Sequence, residues 1–107
     1  MNNYSITNFY EGIEFSKDKV MVKKILETSV SKEIRICLSK NQLMKEHTAP
    51  APIIVMVMDG AIKFNVENKE FILIKGSSIN LGAKIPHSLL GLEDSIIRLS
   101  LAQTPTN

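Results

Sequence analysis

The sequence predicts an all-β domain, a sandwich or barrel of short strands. Three observations predict it. Apolar and polar residues alternate with period two in several separate runs, as they do in strands with one buried face. Turn chemistry falls between those runs at hairpin spacing, most clearly at Asp59-Gly60, two residues that tolerate the positive φ of a tight turn. The apolar residues are mostly aliphatic, with 14 Ile, 10 Leu and 6 Val among 107 residues. That is enough for one core in one domain, without disulfide staples.

Taken in order, residues 1–18 read as an N-terminal arm or edge strand. Ile6, Phe9, Tyr10 and Ile13 fit a helical turn as well as a strand. In Glu33–Ser39, Ile34, Ile36 and Leu38 alternate with Arg35, Cys37 and Ser39. Ile53–Met58 is continuously apolar and too short for an ordinary helix, so it reads as a strand covered on both faces. Ile62, Phe64 and Val66 alternate with Lys63, Asn65 and Glu67. Glu67-Asn68-Lys69 then turns the chain into Phe71–Ile74. Lys75-Gly76 and Gly91–Asp94 supply further turns, and Ile97, Leu99 and Leu101 alternate with Arg98 and Ser100. Seven or eight strands are expected between Val20 and Ala102, with no helix. Ile34–Ser39 also echoes Ile97–Ala102 position by position. Either the echo is coincidence between two β-runs or the two strands hold equivalent or neighbouring places in one sheet.

Composition excludes several functions. Thirteen Lys and Arg against eleven Asp and Glu leave a net charge of +2, which excludes a strongly basic nucleic-acid binder. Aromatic residues are 6% with no Trp, too few for base-stacking platforms. The single Cys37 cannot form an internal disulfide and reads as buried and inert. The longest apolar run, Ala49–Met58, has ten residues and two prolines, whereas a membrane span needs about 20. MNNYSITNF has no early basic residue or apolar stretch of a secretory signal. Together these give a cytoplasmic expectation, with no nucleic-acid partner and no membrane span. No phosphate-binding loop or metal-spaced Cys pair is present. Lys17-Asp18-Lys19 and Lys23-Lys24 read as a solvated face.

Two histidines, His47 and His87, stand forty residues apart beside strands. The segment KEHTAPAPIIVMVMDG (45–60) resembles the first motif of the cupin family, G-x5-H-x-H-x3-4-E-x6-G, with His47 at the first histidine and Gly60 at the closing glycine. GSSINLGAKIPHSL (76–89) resembles the second, G-x5-P-x-G-x2-H-x3-N, with Gly76 and His87 at its glycine and histidine. The resemblance covers about residues 33–102 and implies a cupin-type jelly-roll barrel as one domain over 1–107. It also implies a homodimer. The departures are specific. Ala49 stands at the second histidine, Ile53 at or near the glutamate, Gly82 at the proline and Lys84 at the second glycine. A metal-binding cupin, the resemblance implies, uses three histidines and a glutamate; this chain keeps two of the four in a His-x-Ala-Pro variant.

Ala49 and Ile53 carry no donor atom, so a catalytic metal site of three protein ligands cannot close. Glu46 neighbours His47 but faces the other side of a strand, Met56 reads as core, and Ser88 beside His87 is not a nucleophile–base pair. The expectation is a small-molecule-binding or sensory module. Its mainly apolar pocket is lined by Ile53, Val55 and Phe64 and anchored by His47 and His87. The alternative is a metal-dependent oxygenase or isomerase, its His47–His87 site completed by water or substrate. No cofactor is certain, and a weakly bound divalent metal is the one possibility left open.

Overall fold

The computed structural model describes residues 3–104. Strands make up just over half of the chain, and no helix occurs among the described residues; no helix there is long and apolar enough to cross a membrane. The nine strands are β1 (Met21–Glu27), β2 (Ser31–Leu38), β3 (Leu43–His47), β4 (Ile53–Asp59), β5 (Ala61–Val66), β6 (Lys69–Ile74), β7 (Ser78–Leu81), β8 (His87–Gly91) and β9 (Ser95–Ala102). The expected count of seven or eight was short. The five-residue β3 and four-residue β7 carry little alternation to read. The sheet also begins well before residue 33, because β1 pairs with β2.

The strands form two antiparallel sheets, one ordered β1-β2-β9-β4-β7 and the other β3-β8-β5-β6. This is a jelly roll: apart from the β1–β2 and β5–β6 hairpins, consecutive strands alternate between the sheets, and the core lies between them. Its centre is Ile36, Leu38, Ile53, Val55, Val57, Ile97 from the first sheet and Ile62, Phe64, Val66, Leu73, Leu89 from the second. These are the inward positions that period-two alternation picks out. The echoing segments are direct neighbours: β2 runs antiparallel to β9, with Ile34 opposite Leu99 and Ile36 opposite Ile97.

Asp59-Gly60 is a tight turn but not the expected hairpin: β4 and β5 lie in different sheets, so it carries the chain across the sandwich. Gly60 has φ +87, and a Cβ there would run into the Asp94 carbonyl oxygen and Ser95. Glu67 and Asn68 both have positive φ, +51 and +63, the mirror-image two-residue turn whose twist suits a hairpin. β4 departs from expectation. Its inner residues Ile53, Val55 and Val57 are buried, but Ile54 is half exposed and Met56 and Met58 are partly covered. The strand is therefore sealed on one face, because nothing within the described chain lies across the end of the outer face that holds Ile54.

The N-terminal segment is an arm with neither helix nor strand. It crosses the outer face of the first sheet, where one arginine ties it down. Arg35 Nη1 donates to the carbonyls of Phe9 (3.0 Å) and Glu11 (2.5 Å), and Nη2 donates to Gly12 (3.1 Å). Phe9 alone of the arm's apolar quartet is buried, and its ring lies 4.6 Å from the Arg98 guanidinium carbon. Ile6 is almost fully exposed, so the helical-turn alternative for this segment fails.

Candidate functional site

Two connections cross between the sheets at one end of the sandwich. Residues 48–52 lead from β3 to β4, and residues 82–86 lead from β7 to β8. They are joined by a hydrogen bond from the Lys84 amide to the Ala49 carbonyl, 2.8 Å. Lys84 adopts φ +64, so this turn keeps a left-handed conformation although a lysine occupies it. His47 closes β3 and His87 opens β8, and the two residues are directly opposite in the antiparallel register. Directly opposed residues project to the same side, here the inner side shared with Phe64 and Leu89.

A β-bulge makes this possible. Met44 pairs with Leu89 and His47 with His87, so two residues of β3, Lys45 and Glu46, face only Ser88 on β8. The extra residue resets the alternation, and Met44 and His47 both turn inward. Glu46 is exposed and lines a surface cleft together with Asn65, Ser88 and His87.

The two imidazole rings meet edge to face, centroids 4.3 Å apart at 60°. Phe64 stacks nearly parallel on His87, at 5.6 Å and 10°. Each histidine is clamped by a main-chain carbonyl two residues earlier: His47 Nδ1 to Lys45 O at 2.7 Å, and His87 Nδ1 to Ile85 O at 2.8 Å. A carbonyl oxygen only accepts, so Nδ1 carries the proton in each neutral ring. Both Nε2 atoms are left as lone pairs. This tautomer accepts a hydrogen bond or binds a cation through Nε2.

The site thus unites His47, His87 and Phe64. Ile53, Val55 and Phe64, expected as pocket lining, are in the packed core at 2%, 0% and 0% exposure, and Phe64 meets the site only through its stack on His87. The carbonyls of Lys45 and Ile85 were not among the expected site groups, and backbone acceptors leave no mark in a sequence.

His87 is 3% exposed. Burial disfavours its imidazolium, and repulsion from His47 adds to this; together they outweigh the Ile85 carbonyl and hold the pKa below the ordinary 6.5. On the outer face of the first sheet, burial pushes the Glu33 carboxyl up. Hydrogen bonds from Ser100, Arg98 and Ser31 outweigh it, so Glu33 ends below its ordinary 4.5. Both shifts have one sign: between each folded and unfolded pKa only the unfolded chain takes up the proton. Stability is therefore expected to be full above 6.5, to fall as pH drops from there toward the lowered His87 pKa, and to fall again below 4.5 as Glu33 titrates. Urea unfolding across this range checks it. His87→Asn should abolish the first decline, and Glu33→Gln should shrink the second, to which the lowered Glu27 also contributes.

No protein-family model matches the chain, and no curated protein matches it. Solved structures do. A cupin 2 conserved barrel domain protein from Leptotrichia buccalis is 30% identical over 87% of this chain, with a TM-score of 0.77; the chain spans 45% of that protein. An RmlC-like cupin protein from Desulfovibrio desulfuricans superposes with a TM-score of 0.79 at 14% identity, covering 95% of this chain and 96% of that one. A cupin superfamily protein from Desulfitobacterium hafniense gives 0.76 at 10% identity, over 84% and 83%.

The fold is that of the cupin superfamily. Within the cupin barrel the donor set can be tested against a resident metal. No cluster of three or more His, Cys, Asp or Glu side chains suited to a metal occurs among the described residues. Ala49 and Ile53 are apolar and packed with the core. Two imidazoles fall short of the three protein ligands of a catalytic zinc or facial-triad site, so this chain's residues do not fit a resident catalytic metal.

Proposed function

We propose that the chain is a small-molecule-binding or sensory module whose ligand is anchored by His47 and His87 at the mouth of the barrel. One observation carries the reading: the two rings meet with centroids 4.3 Å apart, each fixed through Nδ1 by its own backbone clamp, which leaves Nε2 as the acceptor of each neutral ring. A ligand there is recognised by what it donates, such as a hydroxyl, an amide N–H or a protonated amine. Phe64 holds the His87 ring flat against the core, so little orientation is lost on binding. A cytoplasmic homodimer belongs to the same proposal. Leu43, Ile72 and Ile74 on the second sheet and Ile54 on the first are half or more exposed, and offer it apolar surface.

The second reading, a metal-dependent oxygenase or isomerase, draws on the same pair of lone pairs, with water or substrate completing a loosely held ion. Metal analysis of untagged protein, with thermal melting in the presence and absence of EDTA, separates the two. The binding-module reading expects substoichiometric metal and an unchanged Tm, with tighter divalent binding only after Ala49→His supplies a donor. Stoichiometric metal whose removal lowers Tm sharply would overturn it.

A further inference from the structure

Three cations stand in one row across the outer face of the first sheet: Lys23 on β1 lies opposite Arg35 on β2, which lies opposite Arg98 on β9. Like charges directly opposite one another on a sheet repel. Arg98 has its answer in Glu33, Nε to Oε1 at 2.9 Å, and in the Phe9 ring. Arg35 does not. It is 4% exposed, and among the described residues it forms no ion pair; its only acceptors are the three carbonyls of the arm. A buried cation without a counter-charge is costly.

Those three bonds use both Nη1 hydrogens and one on Nη2. The Nε–H and the second Nη2–H have no acceptor among the described residues. Nε and Nη2 share the guanidinium edge that takes a carboxylate or phosphate through two parallel hydrogen bonds. Beside this group, between the arm and the sheet, lies a cavity of about 270 Å³ whose lining includes Arg35, Lys23, Gly12, Glu14, Met21 and Cys37. Met21 and Cys37 are paired in register and give it an apolar floor.

We propose that Arg35 and Lys23 form a second binding site, for a small oxyanion of the carboxylate or phosphate class, under the N-terminal arm and on the opposite sheet from the histidine pair. Arg35 supplies the two-pronged contact and Lys23 the second charge. The cavity lies just below the roughly 300–1,000 Å³ of pockets for drug-sized ligands, so the occupant is an inorganic ion or a short-chain acid. Glu14 repels an incoming anion, which sets the affinity low and makes it adjustable.

The test is a two-dimensional 1H–15N NMR titration of the full chain that follows the Arg35 Nε–H resonance. Phosphate and acetate are added separately at constant ionic strength, with chloride as the reference. A saturable shift with phosphate, acetate or both, absent with chloride, is the expected result, and the anion that saturates identifies the source. Lys23 and Glu14 are exposed, so their variants keep the fold. Lys23→Gln should weaken binding about threefold, and Glu14→Gln should tighten it about threefold, the size of a partly exposed charge interaction. A shift that only tracks ionic strength, or a saturable one that neither variant changes, would overturn the proposal.

Discussion

Replacing Phe64 by alanine is expected to destabilise the barrel by about 3–5 kcal/mol. Its ring is 0% exposed at the middle of the core, and the surrounding strands cannot close on the space it leaves. For a domain of this size the loss lowers Tm by roughly 15–30 °C. The same ring stacks on His87, so the variant carries a second signature. Water reaching the vacated space relieves the desolvation of His87, and its pKa rises back toward the ordinary 6.5. Phe64→Leu keeps most of the volume and should cost less than half as much, with the His87 shift retained. Urea melts and histidine NMR titrations of both variants provide the check. A loss below about 1.5 kcal/mol for the alanine variant would show that the core repacks around the gap.

Arg35→Ala is the second large effect. The substitution removes three charge-assisted hydrogen bonds to the arm at once. The carbonyls of Glu11 and Gly12 are near solvent and can hydrate, so the net loss is about 2–3 kcal/mol rather than the sum of the three. The visible consequence is release of the arm. Lys17 and Lys19 are exposed at its base, and trypsin should cut there much faster in the variant, leaving the strand region whole. Arg35→Lys should fall between, because one ammonium cannot reach three carbonyls as a planar fork does. Equal cleavage of wild type and Arg35→Ala would show that the buried Phe9, with the hydrogen bonds Ser39 and Gln42 donate to the Ser16 carbonyl, holds the arm without it.

Most of the fold was legible because strands announce themselves through alternation, and each alternating run is a strand with the inward set that its pattern names. The order of strands within the sheets was not legible. Nothing local in Ile34–Leu38 says that its partner lies at Ile97–Leu101; the sequence echo was the single hint, and echoes also arise by chance. The outer face of β4 was misread because a continuous apolar run tells that both faces are apolar, not that both are covered. At the candidate site the histidines stood out by residue type and their meeting followed from the motif resemblance. The bulge at Lys45-Glu46, the two carbonyl clamps and the Phe64 stack are consequences of register and backbone, which residue identities do not encode one position at a time. The Lys23–Arg35–Arg98 row was hidden for the same reason. Each cation looked like an ordinary outward residue of its own strand until pairing aligned the three.

The pairing of β2 with β9 also has a consequence for biosynthesis. β2 leaves the ribosome with β1 already available to it, yet the neighbour for its other edge, with Ile36 opposite Ile97, lies about sixty residues further on. At 5–20 residues per second, that edge waits roughly 3–12 s for its partner. Until β9 arrives the first sheet is in two pieces, with β4 and β7 unable to join β1 and β2. The nascent chain therefore carries open aliphatic strand edges throughout that interval. Its yield in a cell should respond to translation speed and chaperone supply more than to the stability of the finished barrel.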